Sequence, residues 1–150
     1  MTKRGKILVE LQEVQVRHGG TLRPADVVAF AEDGNTALHE RFTWDDTKAA
    51  HEHRLWQARE LIRVSVILLP GETEPVRAFV SLKEDRAKAG GGYRGLVDVL
   101  LDPAGRKAML GEAKAEWEAF TTKYKRLAEL APLFRQGKRL FKALRKRRAG

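Results

Sequence analysis

Residues 133–148, LFRQGKRLFKALRKRR, leave the chain little latitude in how they can fold. Eight of the sixteen are basic (Arg135, Lys138, Arg139, Lys142, Arg145, Lys146, Arg147 and Arg148) and none is acidic, so the segment cannot neutralise itself and must stay at a surface. Leu133, Phe134, Leu140, Phe141 and Leu144 stand at offsets 0, 1, 7, 8 and 11. On a helix these gather into a narrow apolar stripe with cations on the other faces. The segment is expected to be a cationic amphipathic helix.

The whole chain carries a formal net charge of +9, which falls to +1 when those eight cations are set aside. Nearly all of the excess is therefore local. Three partners suit such a segment: a phosphate backbone, an anionic membrane surface or an acidic groove on another protein. Phenylalanine supplies its only aromatics and it has no tryptophan, which disfavours the membrane. With 150 residues the chain can build one cored domain, or a smaller one with helical extensions. It contains no cysteine, and this excludes disulfides, thiolate zinc sites and cysteine nucleophiles. The opening residues lack the apolar stretch of a signal peptide, and no run reaches the ~18 apolar residues of a membrane span. The expected location is the cytoplasm.

Residues 6–17 fit a helical period through Ile7, Leu11 and Val14 and also the alternation of a strand through Ile7, Val9 and Leu11, then Val14 and Val16; helix is the favoured of the two, and His18-Gly19-Gly20 ends the element in either case. Pro24 then opens a short second helix, closed by Asp33-Gly34-Asn35. Thr43-Trp44-Asp45-Asp46 has the form of a capping box, and the stretch to Arg63 without Gly or Pro predicts a long third helix. Leu55, Ala58 and Ile62 line one side of it, while Lys48, Arg59 and Arg63 fall on a neighbouring face near Trp56. Alternation through Val64, Val66 and Leu68, a turn at Pro70 to Pro75, and Val76, Ala78, Val80 and Leu82 predict a β-hairpin. Residues 84–92, EDRAKAGGG, read as a flexible connection. A short helix from Tyr93 to Leu101 follows, then a longer one from Pro103 to about Leu130, with Pro132 dividing it from the cationic segment.

The expected fold class is α+β and predominantly helical. Residues 1–83 form a helical and β-hairpin domain, 84–92 the connection, 93–130 a helical region and 131–150 the basic tail. Three helices followed by a hairpin resemble the order of a winged helix, in which the third helix reads a groove and residues 70–75 tip the wing. A second resemblance rests on Leu22-Arg23-Pro24-Ala25-Asp26-Val27-Val28, Ala37-Leu38-His39, Phe42-Thr43-Trp44-Asp45-Asp46, Arg54-Leu55 and Gln57-Ala58-Arg59. It continues through Arg77-Ala78-Phe79-Val80 and Gly92-Tyr93-Arg94 to Ala128-Glu129-Leu130. Over about residues 20–130 the chain is similar to a family of small phage and prophage proteins, whose members usually have threonine where Arg23 stands. The resemblance implies a viral or prophage origin and transfers no catalytic residue.

Other constellations carry less. His51 and His53 are two residues apart, about 200° around a helix, and do not share one ion readily. Gly90-Gly91-Gly92 lacks the lysine and hydroxyl residue of a phosphate loop. Asp45 and Asp46 are accounted for by capping, so no catalytic residue, metal or cofactor is expected. The expected function is non-enzymatic binding of nucleic acid, taken to be DNA, by the eight tail cations with Lys48, Arg59 and Arg63. The alternative is a structural or interaction protein, virion-associated or binding a host factor, that uses its C-terminal helices as a partner surface.

Overall fold

The computed structural model describes residues 2–44 and 48–146, excepting the side chains at 48, 49, 145 and 146. The chain divides into two units, Met1–Arg106 and Lys107–Gly150. It is α+β and mostly helical, with two small antiparallel sheets.

Helix α1 (Lys3–Arg17) starts where the Thr2 hydroxyl accepts the Gly5 N–H at 3.2 Å, satisfying one of the donors a helix start leaves open. Ile7, Leu11 and Val14 are buried along one face, as their spacing predicts. Gly19 and Gly20 then take φ of 64° and 85°, and the Gly20 N–H donates to the Gln15 carbonyl at 2.9 Å. Only glycine adopts that pair of angles cheaply, so the terminator is written in the sequence.

Strand β1 (Thr21–Leu22) leads to α2 (Pro24–Ala31), where Arg23 gives no side-chain cap and Pro24 alone sets the start. The Asp33 carboxylate accepts the Asn35 backbone N–H at 2.9 Å, and this bond, helped by the Asn35 side chain, holds its pKa below the ordinary carboxylate value. Glu10 of α1 accepts the N–H groups of Ala37 and Leu38 at 2.7 and 2.8 Å, which fastens the following loop to α1. Asp45 and Asp46, half of the expected capping box, lie outside the described residues. Helix α3 (Lys48–Val64) buries Ala58, Leu61 and Ile62 against Leu11, Val14, Val27 and Ala31. That cluster is the core of the first unit.

The hairpin is much shorter than alternation predicts. Strands β2 (Val66–Ile67) and β3 (Val76–Arg77) pair over two residues each, after which the chain leaves that sheet. Ala78 makes the transfer: its N–H donates to the Ser65 carbonyl at 2.9 Å and its carbonyl accepts the Leu96 N–H at 2.8 Å. Strand β4 (Phe79–Val80) then joins a second sheet of order β1-β5-β4, with β5 (Tyr93–Gly95) in the middle. Because the strand turns at Ala78, Ala78 and Phe79 are both buried, which strict alternation forbids.

Two expectations are corrected here. Tyr93–Gly95 is strand, because β1 and β4 hydrogen-bond it on both sides, and helix α5 begins only at Leu96 (Leu96–Leu101). Residues 84–92 are not merely a loose connection. They include most of helix α4 (Lys83–Arg86), whose Asp85 is 1% exposed. The Asp85 Oδ1 accepts from Arg94 Nε at 3.1 Å and Nη2 at 2.8 Å, while its Oδ2 accepts the Leu82 N–H at 3.3 Å. These bonds to Asp85 push the Arg94 guanidinium pKa still higher than usual.

Gly95 is required by its neighbours rather than by its backbone angles. A Cβ there would lie 2.6 Å from Asp98 Oδ2 and 3.1 Å from Gln15 Nε2, two atoms already bonded to each other at 2.7 Å. Gln15 is only 5% exposed, so separating them leaves its buried amide with the Gly20 carbonyl at 3.1 Å as its remaining partner. Gly95→Ala is expected to destabilise the first unit by about 1–3 kcal/mol, read as a lower urea midpoint at unchanged slope.

The second unit contains most of α6 (Pro103–Tyr124), a 3₁₀ turn at Ala128–Leu130 and α7 (Ala131–Lys146). The longer helix expected to reach Leu130 ends at Tyr124, and Pro132 lies inside the first turn of α7, where its missing N–H costs no helical bond. Trp117 packs with Phe134 and Phe141 of α7 at ring-centroid distances of 6.1 and 6.4 Å. Gly137 admits the indole: a Cβ at that position would lie 2.2 Å from its Cζ2. Among the described residues from Lys107 onward, none is buried. This hairpin holds its aromatics half-covered.

Candidate nucleic-acid interface

At 100° per residue, Phe134, Leu140, Phe141, Leu133 and Leu144 occupy an arc of about 120° on α7. Arg135, Lys138, Arg139 and Lys142 occupy a separate arc of about 100°, and all four are exposed. Sequence order alone interleaves these residues. The helix sorts them into two faces.

Among the described residues, those four cations form no ion pair, and several carboxylates elsewhere have partners of their own. Lys3 pairs with Glu40 at 2.5 Å, Lys114 with Glu118 at 3.5 Å, and Arg94 with Glu84 and Asp85. The Lys3 bond lowers the pKa of Glu40, keeping it anionic. From Arg135 to Lys142 the face runs about 10 Å along the helix axis, close to the rise of three nucleotides in one strand of duplex. The side chains of Arg145 and Lys146, and all of Arg147 and Arg148, lie outside the described residues.

The expected contacts on α3 are less free. Arg59 is exposed on the same side as Trp56, which is 55% exposed and stacks on His53 at 5.7 Å. Arg63, one turn further on, is engaged by Glu60 at 2.7 Å. The Lys48 side chain lies outside the described residues. Arg59 and Arg63 belong to the first unit and the cationic face of α7 to the second.

Two other histidines, His39 and His18, have structural work. His39 Nδ1 lies 2.8 Å from the Ala31 carbonyl and its ring stacks on Trp44 at 4.9 Å, with the Arg54 guanidinium 5.4 Å from the indole centroid. His18 Nδ1 lies 2.8 Å from the Val14 carbonyl. Among the described residues, no group of three or more His, Asp or Glu is placed to hold a metal ion, and no helix is long and apolar enough to cross a membrane.

Neither Trp117 nor Lys114 is among the site residues expected from the sequence. The structure instead lines a groove of about 710 Å³ between α6 and α7 with Trp117, Phe134 and Phe141, and with Lys114 and three α7 cations at its edges. The spacing of Lys114, Trp117 and Thr121 at intervals of three and four was the available signal, since it places all three on one side of α6. No family model, curated protein or solved structure matches the chain.

Proposed function

We propose that the protein is a non-enzymatic nucleic-acid-binding protein of phage or prophage type, acting in the host cytoplasm, whose α7 presents cations to phosphates. The observation that carries this reading is the undivided face of Arg135, Lys138, Arg139 and Lys142, with no acid on the helix and no carboxylate paired to it among the described residues. Phosphate contacts of this kind confer affinity without sequence choice. The phage origin rests on the likeness of residues 20–130, whose quoted positions include core residues Leu22, Val27, Leu38 and Ala58.

Groove reading by α3 in a winged-helix manner is the weaker part of the proposal, because Glu60 engages Arg63 and the wing would have only the two-residue pairing of β2 and β3 to stand on. The alternative, an interaction protein, is favoured by one observation: Leu133 and Leu140 of α7 are 45% and 57% exposed.

Counterion release tests the main reading. If the four described cations each meet a phosphate, log K falls linearly with log salt, with a slope of about −3 to −4. A labelled 20-mer titrated by anisotropy at several salt concentrations gives that slope. Absence of binding at low salt ends the proposal.

A further inference from the structure

The groove of the second unit narrows the nucleic-acid reading, on which this inference rests. We infer that the space between α6 and α7 is a site for single-stranded nucleic acid, taking unpaired bases on its aromatic floor and their phosphates on its rim.

The floor is Trp117, Phe134 and Phe141, all half-buried with part of each ring open. The rim carries Lys114, Arg135, Lys138 and Lys142 against a single acid, Glu118. Lys114 pairs with Glu118 at 3.5 Å, and the three α7 cations remain for a ligand. Aromatic rings flanked by cations are the combination that tracks a single strand, because every base has a π-face and every linkage a charge. A duplex keeps its bases stacked inside and can use only the cations.

The size agrees. About 710 Å³ lies within the range of pockets that enclose a small organic molecule, which suits a base or two and not a double helix. Five of the chain's eleven aromatic residues fall in this unit, yet none of them is buried there. Their exposed rings have a use if a ligand stacks on them.

The test uses the full chain with a 20-nucleotide oligothymidylate, the matching duplex, and an acidic amphipathic peptide. Oligothymidylate is expected to bind at least about 10-fold more tightly than duplex at equal salt and to quench tryptophan fluorescence. Trp117→Phe keeps a ring in the hairpin and should abolish the quench while retaining most of the affinity. Trp117→Ala should lower single-strand affinity about 5- to 100-fold and leave duplex affinity unchanged, with helix content followed by circular dichroism. Equal affinity for strand and duplex, with a quench that survives Trp117→Phe, would overturn the groove assignment and leave the phosphate-binding reading intact. Quenching by the peptide but not by oligothymidylate would overturn it in favour of a protein partner. Failure of both nucleic acids to bind at low salt would remove the underlying reading as well.

Discussion

Replacing Arg135, Lys138, Arg139 and Lys142 together by glutamine is expected to weaken nucleic-acid binding on the order of 100-fold at low salt and to flatten the salt dependence by about 3 to 4 units of slope. The size follows from the counterion argument. A site of four phosphates loses on the order of 100-fold in affinity over a fourfold rise in salt, and a protein without those charges starts near that weakened level. Glutamine retains the length and most of the helix propensity of the cations, and none of the four belongs to the apolar arc, so α7 persists by circular dichroism. Single substitutions should each remove about 0.7 to 0.9 of slope. A quadruple variant that binds with unchanged slope would show that those four charges do not meet phosphate.

Arg94→Ala should lower the stability of the first unit by about 2–4 kcal/mol, the largest single-residue effect on folding expected here. The substitution leaves the Asp85 carboxylate, 1% exposed, with the Leu82 N–H at 3.3 Å and no cation. Breaking one member out of a buried pair is typically worth about 3–5 kcal/mol; the Arg94 side chain is 27% exposed, so water reaching the pair reduces that figure. For a unit of this size the loss corresponds to a fall in Tm of roughly 10–20 °C. Arg94→Lys keeps a charge but not the two-pronged geometry and should fall between. Asp85→Ala in the Arg94→Ala background should cost less than the sum of the single changes, because the stranded charge is then gone. Additive effects in that cycle would mean that the two side chains do not act as a pair.

Much of the first unit was legible because its signals are local. Gly19-Gly20, Pro24 and the spacing of Ile7, Leu11 and Val14 each specify a helix boundary or face from neighbouring residues alone. Strand β5 was not legible, since Tyr93-Arg94-Gly95 takes its conformation from β1, some seventy residues earlier, and from β4. Asp85 was hidden for a related reason: within EDRAKAGGG it reads as solvated, and only the arrival of Arg94 through the sheet gives it a counter-charge. The return strand was misread at Ala78, where a change of sheet breaks the alternation. Of the candidate site, the α7 face was visible in the order of its residues, whereas the groove needed α6 laid beside it.

The absence of any buried residue among those described from Lys107 onward bears on how this part of the protein can change over generations. A sealed interior resists substitution, because each new side chain must fit a space already filled. A hairpin without one sets few such conditions, Gly137 beneath the Trp117 ring being an exception. Substitutions in the second unit are therefore bound by packing at fewer positions than substitutions in the core of the first.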